Sequence, residues 1–185
     1  VGLQYAYQRA RLAWYTIDQS YYTGGPNVPT NIGAADLTNH YVRGVKRDEV
    51  FPNKDLGSTG NGYEYTFDMA YYPRERGAYN YNPSIDNAGK FFAGTEATDA
   101  GLRNKFGGIS RAITFDTDFD NANIEYLEFW MMDPFIATPN GKVEDPDSPI
   151  PSKSNTTGGD FVINLGNVSE DVLKDQNQHE FENGL

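Results

Sequence analysis

Between Tyr63 and Tyr72 the residue type changes at every step. Tyr63, Tyr65, Phe67, Met69 and Tyr71 alternate with Glu64, Thr66, Asp68 and Ala70. Successive side chains of an extended chain point to opposite faces, so this period of two collects aromatics on one face and polar groups on the other. The pattern predicts a strand with one covered face. Pro73, which has no N–H to give to a ladder, predicts its end.

Other segments read in the same way. Arg9–Asp18 contains the β-prone run Trp14, Tyr15, Thr16 and Ile17, with a helix as the second reading because Ala and Arg crowd its front. Tyr41–Val50 reads as a strand leading into a turn at Phe51–Gly57. Gly107 and Gly108 precede a further strand at Ile109–Phe115, and Asp116–Asn123 reads as a polar turn. Ile124–Met132 is apolar on both faces: Leu127, Phe129 and Met131 point one way, Ile124, Tyr126, Trp130 and Met132 the other. A strand dressed on both sides is usually central and covered twice. Asp160–Gly166 reads as a strand with Phe161, Ile163 and Leu165 inward. Ser169, followed by Glu170 and Asp171, reads as the N-cap of a short helix to about Gln178. Ser20–Asn39 and Ile136–Gly159 are rich in Gly, Pro, Asn, Asp and Ser and read as long loops.

Short strands, Gly/Pro punctuation and long loops predict an all-β fold. The expected architecture is a jelly-roll-like β-sandwich of the galactose-binding-domain type, with a short C-terminal helix. The length of 185 residues suits one domain, 1–185. Val1 in place of an initiator Met suggests a fragment of something longer. No apolar run reaches the ~18 residues of a membrane-spanning helix.

The charge of −11, from 26 acidic and 15 basic residues, argues against nucleic acid as a partner, because phosphate contacts dominate that affinity. Cysteine is absent, which removes thiol catalysis and Cys-based zinc sites. The two histidines, His40 and His179, fall in a loop-like stretch and near the expected helix end, and read as surface residues. Glu125 and Glu128 sit on opposite faces of one strand and so fail as the paired carboxylates of a glycosidase. Asp116, Asp118 and Asp120 imitate the start of an EF-hand loop, but Asn121 stands where that loop needs Gly and Leu127 where it needs Glu. They remain candidates for a looser calcium site on a sandwich edge. No catalytic residue and no cofactor beyond that ion is expected. Exposed aromatics leave a glycan-binding module as an alternative, although Trp130, mid-strand, is expected in the core or at an interface.

A series of phrases carries more information. EVFPNKDLG (Glu49–Gly57) precedes YTFDMAYYPRERGAYNYNPS (Tyr65–Ser84); FGGISRAI (Phe106–Ile113), TDFDNANIEYLEFWMMDPF (Thr117–Phe135), GGDFVINLGNVSEDVLKD (Gly158–Asp175) and FENGL (Phe181–Leu185) follow in order. Together with RARLAWYTID near the amino end, they resemble the SprA/Sov family of gliding-motility and type IX secretion translocon proteins. Phe106, where Trp is expected, and the length of the 136–157 loop are departures. The resemblance implies a soluble piece of a very large outer-membrane β-barrel protein through which folded cargo is exported. Its partners would be other domains of the parent, secretion-system proteins and exported cargo, on the periplasmic or the extracellular side. It implies no enzyme activity. Ile124, Tyr126, Trp130 and Met132 are the expected interface with a neighbour.

Overall fold

The computed structural model describes residues 3–26, 28–60, 62–115, 117–137, 142–144 and 152–166. The expected helix from Ser169, His179 and the calcium candidate Asp116 lie outside the described residues. The described chain is mostly non-helical. It holds five short helices, α1 (Leu3–Ala6), α2 (Ser20–Thr23), α3 (Ala34–Thr38), α4 (Arg47–Val50) and α5 (Asp99–Arg103). Its strands are β1 (Ala10–Tyr15), β2 (Asp68–Arg76), β3 (Lys142–Glu144) and β4 (Ser152–Ser154), in the two-stranded sheets β1–β2 and β3–β4. None of its helices is long and apolar enough to cross a membrane. The chain forms two compact units, one from Val1–Trp14, Met69–Ala112 and Asp160–Leu185, the other from Tyr15–Asp68 and Ile113–Gly159.

In the first unit β1 falls within the Arg9–Asp18 stretch expected as a strand, but it covers Ala10–Tyr15 and stops before Thr16 and Ile17. β2 lies further along than the alternation predicts: it begins at Asp68 and runs through Pro73 to Arg76. Pro73 is tolerated because the bonds to the 90–92 segment use its neighbours. Phe92 N donates to Arg74 O at 3.0 Å and Arg76 N to Lys90 O at 2.9 Å, on either side of the Glu75–Phe91 bridge. Gly77 then closes against β1. A Cβ there would stand 2.5 Å from the Ala10 carbonyl oxygen, so only glycine lets the two backbones meet.

The centre of this unit is small and partly polar. Ala6, Ala10 and Phe92 are its buried hydrophobic residues, and Asn80, Asn82 and Lys105 are buried beside them. Asn80 Nδ2 donates to Tyr7 O (3.0 Å) and Arg9 O (2.6 Å), while its Oδ1 accepts from Asn82 N at 2.9 Å. In the Tyr79–Asn82 run the asparagines therefore turn inward and Tyr79 and Tyr81 turn out. Period-two reasoning expects the opposite. The asparagines win because their amides find partners inside, the carbonyl of residue 7 and, beside Gly77 N, that of residue 9, and a paired buried amide is tolerated while the tyrosine hydroxyls remain in water. Lys105, with no exposed side-chain surface, donates to Gln8 Oε1 at 2.7 Å, pairs with Glu96 and lies 4.1 Å from the centre of the Phe92 ring. Buried charge needs such full pairing to be tolerated.

In the second unit no described hydrophobic side chain is fully buried. Polar contacts and one tyrosine pair organise it instead. Tyr41–Val50, expected as a strand, contributes only the Lys46–Tyr63 bridge and then α4, where Asp48 and Glu49 occupy the first turn that the helix dipole favours. Arg43 grips Glu49 with both guanidinium nitrogens, at 2.9 and 2.6 Å, and Arg47 pairs with Glu64 at 2.9 Å. The rings of Tyr22 and Tyr63 pack at 5.1 Å over Gly44, where a Cβ would meet Tyr63 at 2.6 Å. The Ser20–Asn39 stretch is not wholly irregular. It contains α2 and α3, the latter started by Asp36, whose carboxylate accepts from Gly33 N at 2.7 Å. The Ile136–Gly159 stretch carries the antiparallel pair β3–β4, with Val143 opposite Lys153.

Candidate functional site

The segment Ile124–Met132 belongs to the second unit, between two anchored ends. At its start, residues 119–123 form the expected turn. Asp118 Oδ1 accepts from Asn121 N at 3.0 Å, Ile124 N donates to Phe119 O at 3.0 Å, and Asn123 takes a positive φ of 51°. Asn is one of the few residues that adopt that conformation readily. At its end, His40 Nε2 donates to Asp133 O at 2.7 Å. The Pro134 carbonyl accepts from Tyr41 Oη at 2.9 Å and from Asn155 Nδ2 at 2.7 Å. His40, read as surface decoration, thus helps to pin this end.

Between these anchors the chain is neither helix nor ladder strand. This corrects the expectation of a central strand covered on both faces. Trp130 is 75% exposed and Tyr126 78%, so neither lies in a core; Ile124, Leu127, Phe129 and Met131 are also exposed, and Met132 lies at the boundary. A segment apolar on both faces gains little while its side chains stay this exposed. A shallow, open hollow borders Leu127, Glu128, Phe129 and Trp130. Trp130 makes one edge contact with Phe51, at 6.3 Å, and Lys54 sits 5.6 Å from that ring. Neither Glu125 nor Glu128 forms an ion pair with a described residue.

Two more stretches expected as strands behave alike. Ile109–Phe115 forms no ladder, and Phe115 is 84% exposed. Asp160–Gly166, in the first unit, is irregular too, with Phe161, Val162, Ile163 and Leu165 exposed. Of the calcium candidates that are described, Asp118 is engaged by the turn. Among the described residues no three His, Cys, Asp or Glu side chains come close enough to hold a metal ion.

Sequence reasoning missed the Lys105–Glu96–Gln8 cluster, whose members are far apart in the chain and carry no local pattern. The alternating Tyr and Asn of residues 79–82 was a usable signal for a polar centre.

Titration in the second unit follows its packing. Burial pushes Tyr22 up to about 12, with Asp68, Tyr15 and Tyr63 adding to it, and the Arg43 fork holds Glu49 below the ordinary carboxylate value. Comparison with known proteins finds no matching family model and no matching curated protein.

Proposed function

We propose that this chain is a structural domain, not an enzyme, and a piece of a type IX secretion translocon of the SprA/Sov kind at the outer membrane of a Gram-negative bacterium. One observation carries the reading: the most apolar segment, Ile124–Met132, is held at both ends and left open between them. Burying a large apolar side chain is worth about 1.5–3 kcal/mol, so a surface of this kind favours covering by a neighbour. The ordered phrases from Glu49 to Leu185 resemble that family and support the choice of parent. On this reading the finer architecture is a jelly-roll-like sandwich whose sheets are completed by other domains of the parent, with Ile124, Tyr126, Trp130 and Met132 in the joint. Secretion-system proteins and exported cargo are the further partners.

The test is substitution of Trp130 by Asp in the parent protein of a gliding bacterium. Expected is loss of gliding and of surface-protein export while the isolated chain keeps its circular dichroism and melting temperature. Normal export by a stably produced variant would refute the reading.

A second reading, a glycan-binding module, draws on Tyr79 and Tyr81, both exposed, with Tyr79 held at a φ of 54° that aromatic residues seldom adopt. It requires saturable binding on a glycan array that Tyr79→Ala and Tyr81→Ala abolish.

A further inference from the structure

We infer that Lys105, Glu96 and Gln8 form a self-joining site, in which Lys105 Nζ attacks the side-chain amide of Gln8, Glu96 carries the protons, and an isopeptide bond replaces the hydrogen bond between them. This goes beyond the scaffold role and does not depend on it, because the chain acts once on itself and turns over no substrate.

Backbone pairing brings the nucleophile to the acceptor. Phe106 N donates to Gln8 O at 3.1 Å and Ala10 N to Phe106 O at 2.8 Å, so residues 8 and 105 meet although they lie 97 positions apart in the chain. The rings of Tyr5 and Phe106 stack at 4.7 Å and tie the turn before Gln8 to the same place. Lys105 Nζ donates to Gln8 Oε1 at 2.7 Å. The amide carbon is one carbonyl bond of about 1.23 Å further, hence within about 4 Å of the nitrogen. A small rotation of the Gln8 amide brings it to the ~3–3.5 Å of a near-attack geometry.

A glycine contact sets the carboxylate. Glu96 lies in the short turn Gly94–Ala97, and α5 presses on that turn at Gly101, where a Cβ would stand 2.4 Å from Thr95 O and 2.8 Å from Glu96 O. Lys105 N closes the end of α5 on Leu102 O at 3.1 Å, so the same contact holds Glu96 beside Nζ. The Lys105 side chain has no exposed surface, and Phe92, itself 3% exposed, walls the ammonium at 4.1 Å. An enclosed site of this kind keeps water from competing with the amine.

The step balances within these three side chains. The ammonium of Lys105 gives one proton to Glu96, which leaves no net charge on either. The free pair on Nζ forms a bond to Gln8 Cδ, and the carbonyl pair moves onto Oε1. The carbonyl then reforms as the Cδ–Nε2 bond breaks. Glu96 hands its proton to the departing Nε2 and takes the surplus proton from Nζ. Ammonia leaves, and it recovers that proton from Glu96 as ammonium. No oxidant, cofactor or second substrate is needed. Freshly folded chain is in the open form described above, and the bond forms with age.

The test is intact-mass and tryptic analysis of the full wild-type chain, refolded and aged at neutral pH. Expected is a mass lower by one ammonia and a tryptic product in which Val1–Arg9 is joined to Asn104–Arg111 through Gln8 and Lys105. Glu96→Gln, with unchanged circular dichroism, should slow the joining about a hundredfold, and Gln8→Met should abolish it. The aged chain should melt about 10 °C above Gln8→Met, since the bond closes a long loop of the unfolded state. An undiminished mass would overturn the assignment. So would ammonia loss with the two fragments still separate, or loss of one water joining Lys105 to Glu96. Equal rates in wild type and Glu96→Gln would overturn the role given to Glu96.

Discussion

Lys105 offers the sharpest test of how the first unit is held together. Its ammonium has no exposed side-chain surface, whereas the Glu96 side chain is about one quarter exposed. Removing either partner breaks the same ion pair, yet the costs should differ. Glu96→Ala leaves the ammonium enclosed with only Gln8 Oε1 and the Phe92 ring, and an uncompensated buried charge costs about 3–5 kcal/mol. Water entering where Glu96 stood lowers that to roughly 2–3 kcal/mol. Lys105→Met keeps an unbranched stem against Phe92 and removes the charge. Glu96 can turn to solvent, so the loss is about 1 kcal/mol, mainly the bond to Gln8. Urea denaturation followed by tyrosine near-ultraviolet circular dichroism reads the difference. With an m-value of about 2 kcal/mol/M, Glu96→Ala should lower the midpoint by about 1–1.5 M and Lys105→Met by about 0.5 M. A Lys105→Met cost equal to or above that of Glu96→Ala would refute the argument, because the attraction would then outweigh the burial of the charge. Two negligible shifts would show that water reaches the cluster.

Gly77→Ala should destabilise by about 2–3 kcal/mol, since the new methyl meets backbone at Ala10 rather than a movable side chain; a thermal melt checks it against Gly25→Ala, where space is open. Glu49 should titrate below 4.5, and Arg43→Gln should return it to the ordinary range, as read by carboxyl NMR. A depressed carboxylate stabilises above its unfolded pKa and loses that contribution as pH falls through the folded value, so wild type should weaken more than Arg43→Gln on acidification below about 4.3. Tyr22 and Tyr71, both raised to about 12 by burial, should be absent from the tyrosines that ionise near 10 in absorbance at high pH. Because their folded pKa is raised, the stability they contribute is present below about 10 and fades as pH climbs from there toward 12.

Local chemistry made some of this fold legible. Trp14 and Tyr15 mark the end of β1 as β-prone although Ala and Arg crowd its front, and the 119–123 turn is built from Asp and Asn that bond their own backbone. The strand expected at Tyr63–Tyr72 is displaced to Asp68–Arg76 because alternation sets which face a residue occupies and not where pairing begins. Partners chosen by tertiary contact, β1 and residues 85–92, decide that. Residues 47–50 follow the same logic: three charged residues and a first-turn preference for acids outweigh a weak strand pattern. At the candidate site, the double apolar dressing of Ile124–Met132 was readable, and so was its appetite for cover. Its exposure was not, because a sequence pattern states what a segment would bury and never names the molecule that buries it.

The first unit draws on three stretches separated by the whole of the second, and its bridge from Arg9 to Phe106 spans most of a hundred residues. A ribosome or an export channel delivers those parts in sequence, not together. β1 must therefore wait, unpaired, until β2 has emerged, and the bridge of Arg9 until Phe106 has, and closing such long loops slows folding. During that interval the β1 edge has no ladder partner. No single cut in the chain will release either unit intact.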